Sequence, residues 1–150
     1  MTLYELIKYV HVVAAITAVG FNLSYGVWLA RNARAPEHQL HVLRTIKLID
    51  DRIANPAYVL LLLTGLGMVW VGNIPITTAW IVLSLVLYAA LVVLGLGVFT
   101  PALRRQIGLA ESGAAGQDYA AATRRTTLSG AVLVLIALVI VFLMVTKPTL

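Results

Sequence analysis

The sequence predicts an all-α protein: a four-helix transmembrane bundle with both termini outward and an amphipathic helix in its first cytoplasmic loop. Three observations carry this. First, four continuous apolar runs approach or exceed the roughly 18–20 residues that cross a bilayer. Second, charge is scarce. Of 150 residues, 11% are charged and 61% hydrophobic, with mean hydropathy +0.94, whereas a soluble domain carries roughly 25% charged and 45–50% apolar residues. Third, the basic residues gather between particular runs, as the positive-inside rule requires. These features exclude a disordered chain, a nucleic-acid module and a soluble enzyme with an ordinary polar shell. A transmembrane β-barrel would show alternating segments of about ten residues; these runs do not alternate.

The first span is expected over Leu6–Leu29, interrupted only by Lys8, His11 and Asn22. It is too long for a signal peptide, its leading Glu5 and Lys8 cancel, and Arg31 and Arg34 follow it as stop-transfer residues would. It is therefore expected to be retained. The second span, Pro56–Val71, is the shortest. The third covers Thr78–Thr100 and the fourth Leu128–Val145, the last with Ser129 as its only polar side chain. Together they form a single integral membrane domain over 1–150.

The loops set the orientation. Arg31, Arg34, Arg44, Lys47 and Arg52 lie between spans one and two, and Arg104, Arg105, Arg124 and Arg125 between spans three and four. Against these nine, only Lys8 and Lys147 lie on the other side. Both long loops are thus expected in the cytoplasm of a multi-pass inner-membrane protein. After Pro36, Leu40, Leu43, Ile46, Ile49 and Ile53 recur at helical spacing, with Arg44, Lys47, Asp51 and Arg52 on the other side. This helix lies on the membrane surface or extends span two, and Asn55-Pro56 marks its end or a kink. Pro101 opens a similar short helix, and Ser112–Gly116 is a turn.

The absence of cysteine excludes disulfides, thiolate metal sites and covalent haem attachment. In the spans, polar residues are the informative ones, because an ionisable group in hydrocarbon faces protein or a cavity. His11 is the candidate. At about 100° per residue, Tyr4, Ala15, Ala18, Asn22 and Tyr25 all fall within about 40° of it. This stripe must face protein or a cofactor. His11 is either a ligand to haem iron or a polar contact between helices. Met68, Trp80 and Ser84 approach the same outer layer. His38 and His41 are spaced to chelate a metal but lack a third ligand, and read as a solvated pair. Gly20, Gly26, Gly65, Gly67, Gly95 and Gly97 read as sites of close helix approach. Trp28, Trp70, Trp80 and Tyr4 read as interfacial anchors. There is no nucleophile–base pair, no Walker loop and no HExxH, so no enzymatic activity is assigned.

Several segments carry a family resemblance. They are Leu6-Ile7-Lys8-Tyr9-Val10-His11, Asn55-Pro56-Ala57, Thr64-Gly65-Leu66-Gly67, Thr78-Ala79-Trp80, Pro101-Ala102-Leu103-Arg104-Arg105 and the closing Phe142-Leu143-Met144-Val145-Thr146-Lys147-Pro148. Over essentially the whole chain they resemble an uncharacterised bacterial family of predicted four-helix integral membrane proteins. More distantly the chain is similar to HemJ-type protoporphyrinogen oxidases and CopD-type copper-resistance membrane domains. The HemJ resemblance implies that His11 ligates a b-type haem. It does not imply the oxidase activity, because the span-three lysine that follows the tryptophan there is missing from Trp80-Ile81-Val82-Leu83-Ser84.

Two functions follow as expectations. One is a small membrane protein binding one haem b through His11 in a redox or accessory role. Its second axial ligand would be Met68 or the His11 of a second copy in a homodimer, or the iron would be five-coordinate. The other is a non-enzymatic subunit or assembly factor of a larger membrane complex without a cofactor. Small-solute or copper transport is disfavoured by the thin set of intramembrane ligands. The orientation is checked by cysteine labelling: Glu37 and Gln117 should report the cytoplasm and Asn73 the outside. A cytoplasmic Asn73 would reverse it.

Overall fold

The computed structural model describes residues 1–32, 38–114 and 116–148. Its elements are α1 (Leu3–Asn32), α2 (Gln39–Ile49), α3 (Asn55–Val71), α4 (Ala79–Leu94), α5 (Thr100–Glu111) and α6 (Gln117–Thr146). No strand occurs among the described residues. Two π-turns, Asp50–Ala54 and Gly95–Phe99, join α2 to α3 and α4 to α5. The chain therefore forms four long rods, each apolar and long enough to cross a membrane. The two composite rods, Gln39–Val71 and Ala79–Glu111, hold 33 residues each. At about 1.5 Å per residue each is about 50 Å long, well beyond the roughly 30 Å of hydrocarbon.

The rods are antiparallel. Tyr4 of α1 packs over Gly72 at the far end of α3, and Lys147 sits 5.6 Å over the Trp80 ring at the start of α4. Both termini thus share one end with the 72–78 hairpin; α2, α5 and the start of α6 occupy the other, the loop end. α1 packs chiefly along α3, α6 along α4 and α5, and α2 against α5 and α1. Leu43, Ile46 and Leu103 at the loop end are almost wholly buried, and they cluster with Tyr25, Phe99 and Leu133. The mid-rod surface, by contrast, exposes large apolar side chains, among them Val59, Leu63, Leu135 and Phe142. So continuous an apolar surface needs lipid rather than water around it.

Both π-turns have one cause. A proline inside an α-helix lacks the N–H for its bond, and its ring collides with the carbonyl four residues back. Before Pro56 the Asn55 N–H reaches back five residues to the Asp50 carbonyl, and before Pro101 the Thr100 N–H does the same to Gly95. The wider turn makes room for the ring, so neither rod breaks. This resolves the two alternatives for the loop helix: it is an extension of span two. It also corrects two expectations. Pro101 does not open a separate helix but continues the third rod. Ile53 does not join the buried face of Leu43 and Ile46, because each residue of the π-turn rotates less than an α-residue; Ile53 is exposed and Ala54 takes the buried place. Pro36 lies outside the described residues.

The glycines divide. A Cβ at Gly65 or Gly67 would meet His11 or Ile7, so these two do admit a neighbouring helix. At Gly20, Gly26, Gly95 and Gly97 nothing lies within 4 Å. Those four face away from other rods, and the expected close approach does not occur there.

Truncating a filled loop-end position should be costly. Leu43→Ala is expected to lose about 2–5 kcal/mol, and exposed Leu48→Ala no more than about 0.5 kcal/mol. Denaturation of the purified protein in detergent measures both.

Candidate functional site

The polar stripe of α1 faces inward along its length. Ala18 and Tyr25 are buried, and Tyr4, His11, Ala15 and Asn22 are partly so. Their main partner is α3.

Near the termini end, His11 Nδ1 lies 2.8 Å from Thr64 Oγ1. The Thr64 hydroxyl lies 2.6 Å from the Leu60 carbonyl one turn back and donates to it. A hydroxyl has one proton to give. With that proton on Leu60, the Thr64 oxygen accepts, and His11 donates from Nδ1–H. Neutral His11 is thereby held in the Nδ1–H tautomer, with its lone pair on Nε2. Gly65 provides the space: its Cβ, if present, would stand 3.3 Å from His11 Cε1. Thr64-Gly65 is thus a bond and a gap on successive residues, both fitted to one imidazole.

About 16 Å further along α1 lies a second polar layer. Asn22 Nδ2 donates to the Tyr58 hydroxyl. The Tyr88 hydroxyl of α4 donates to the Tyr58 carbonyl at 2.9 Å, bringing in the third rod. Beyond it, Asn55 Nδ2 reaches Asp50 Oδ2 at 3.4 Å. Asp50 is only 6% exposed, and it lies within electrostatic reach of Tyr25, whose buried hydroxyl has no partner among the described residues. A third group joins α5 to α6: Gln106, buried, donates to Tyr119 and Thr123 at 3.1 and 3.0 Å. At the surface Arg44 pairs with Glu111 at 2.7 Å, an exposed contact worth little by itself.

The other sequence candidates separate. Met68 is partly buried on α3, one turn past Thr64. Ser84 is buried on α4 with its hydroxyl unpaired among the described residues. Trp80 lies under Lys147. Tyr4 packs on Gly72 at the termini end, and Trp28 and Trp70 are exposed. His38 and His41 are exposed, and no group of three metal-ligating side chains occurs among the described residues. Asp50, Thr64, Tyr58 and Gln106 were not singled out from sequence. For Asp50 the signal was there: Leu43, Ile46 and Asp50 fall at helical spacing on one face, so a carboxylate continues a buried stripe.

The profile of a predicted integral membrane protein family, DUF2269, matches residues 5–148. The chain belongs to this family. No curated protein and no solved structure matches it. The HemJ-type and CopD-type resemblances accordingly rest on the short motifs alone. Membership agrees with the four membrane-crossing rods and with lipid as the surrounding medium.

The Asn22–Tyr58 bond offers a measure of the seam. In a cycle of Asn22→Ala, Tyr58→Phe and the double variant, the coupling should be about 0.6 kcal/mol and no more than about 1.7 kcal/mol. Strictly additive losses would show that the pair contributes nothing.

Proposed function

We propose that this family member is an inner-membrane protein with its arginine-bearing loops in the cytoplasm, and that His11 binds one b-type haem in a redox or accessory role. One observation carries the haem reading: the His11–Thr64–Leu60 hydrogen-bond chain. A histidine that ligates a metal characteristically donates its other ring N–H to an acceptor, which fixes both tautomer and ring plane. Thr64 is that acceptor for His11, and Nε2 is the nitrogen left to ligate. The donor set therefore fits haem iron on one side. Met68, or the His11 of a second copy, would supply a second ligand; without either, His11 would hold the iron alone. When bound, haem would supply one-electron chemistry. The chain's own contribution would be to hold the imidazole by its Nδ1–H against Thr64 and leave Nε2 free to ligate.

The same bond also favours a second reading, in which His11 and Thr64 simply join two helices in a cofactor-free subunit or assembly factor. Spectra of the purified protein, expressed with ample haem, separate the two. The haem reading expects a Soret band and a sharp reduced α band, lost or strongly altered in His11→Ala. Thr64→Val should keep a haem spectrum while weakening affinity about 10–100-fold. A blank wild-type spectrum, or a haem spectrum unchanged in His11→Ala, would overturn the assignment.

A further inference from the structure

Away from the α1–α3 seam, a groove of about 540 Å³ opens between the third rod and α6. Its walls are Leu94 and Val98 on one side and Leu128 and Val132 on the other; Arg124 and Arg125 line its mouth. Leu128 and Val132 are 55% and 46% exposed, so the groove faces the surrounding medium, which for these rods is lipid. No carboxylate among the described residues pairs with either arginine.

The depth of each part follows from the pairing of the rods. Gln106 bonds Thr123, which sets Arg124 and Arg125 level with Arg104 and Arg105 at the loop end. From Gln106, Val98 and Leu94 lie 8 and 12 residues back along the rod, about 12–18 Å deeper in the bilayer. The groove thus has a cationic mouth at headgroup level and an apolar floor running down into hydrocarbon. Guanidinium groups bind phosphate oxygens through paired N–H donors, and basic pockets between membrane helices bind anionic lipid headgroups.

We propose that this groove binds one anionic phospholipid of the loop-end leaflet. Its phosphate sits between Arg124 and Arg125, and an acyl chain lies along Leu94, Val98, Leu128 and Val132. A net negative headgroup is selected because the two guanidinium charges are otherwise uncompensated. A zwitterionic headgroup brings its own cation to the same place.

Native mass spectrometry of delipidated protein, titrated with dioleoylphosphatidylglycerol or dioleoylphosphatidylcholine, tests this. The expected result is one retained phosphatidylglycerol per chain, at several-fold higher occupancy than phosphatidylcholine. Arg124→Gln/Arg125→Gln should bring the two lipids to equal occupancy. Arg104→Gln/Arg105→Gln, equal in charge change but outside the groove, should leave the preference intact. Leu128→Trp, a change at a lipid-facing site that keeps the arginines, should lower phosphatidylglycerol retention by filling the groove. Circular dichroism confirms that each variant keeps its helix content. Equal retention of both lipids by the wild type, or equal loss in the two arginine pairs, would overturn the proposal. So would a Leu128→Trp variant that retains lipid as the wild type does. Inorganic phosphate that displaces the lipid at equal concentration would reassign the arginines to a free-anion site and overturn it as well.

Discussion

In hydrocarbon a polar group has no water to turn to, and every other feature of this bundle follows from that constraint. α1 carries a histidine, an asparagine and a tyrosine on one face, and lipid can satisfy none of them. The histidine and the asparagine meet α3 instead, through Thr64 and Tyr58, while the buried Tyr25 hydroxyl has no partner among the described residues. The Thr64 hydroxyl is itself tied to the Leu60 carbonyl, and the Tyr58 carbonyl accepts from the Tyr88 hydroxyl of α4. Antiparallel pairing of α1 with α3 is therefore a requirement of these side chains. The seam is also registered, because a slip of one residue would part both pairs together.

The same constraint explains how two prolines come to lie inside long rods. Pro56 and Pro101 each remove a backbone donor and threaten a carbonyl. At a helix end in water that would be harmless. Near the membrane the rods continue, and a five-residue hydrogen bond on the preceding residue absorbs the strain in each case. The consequence reaches beyond the backbone. In the second rod the wider turn carries Ile53 outward and Ala54 inward, while Asp50, still in step with Leu43 and Ile46, lies near Asn55, Tyr25 and Tyr58 at the loop end.

This is also where sequence reading fails, and for a definite reason. Periodicity assumes a constant rotation per residue. It located all four rods and the inward face of α1, because α1 is uninterrupted from Leu3 to Asn32. It misplaced Ile53 because the rotation changes at Asp50. It ended span three near Thr100-Pro101 and left the loop helix either on the membrane surface or as an extension of span two, because a proline is a stop signal unless the preceding turn widens, and nothing local in Asn55-Pro56 or Thr100-Pro101 announces that. Glycine was over-read for a similar reason. Composition cannot tell Gly65, which faces an imidazole, from Gly97, which faces nothing. Thr64 escaped notice because a threonine in a leucine-rich helix commonly bonds its own backbone, and Thr64 does so while also accepting from His11.

Along α1 the two polar layers of the seam are parted by small apolar side chains. Between His11 and Asn22 the buried residues of α1 are Ala14 and Ala18. Thr17, the polar residue in between, spends its hydroxyl on the Val13 carbonyl. Small apolar side chains bring α1 close to its neighbours there and leave no donor or acceptor to continue a chain. Along α1 no polar side chain links Asn22, at the near edge of the loop-end layer, to His11 about 16 Å away. The loop-end layer instead ties α1 to α3 and α3 to α4 through Asn22, Tyr58 and Tyr88.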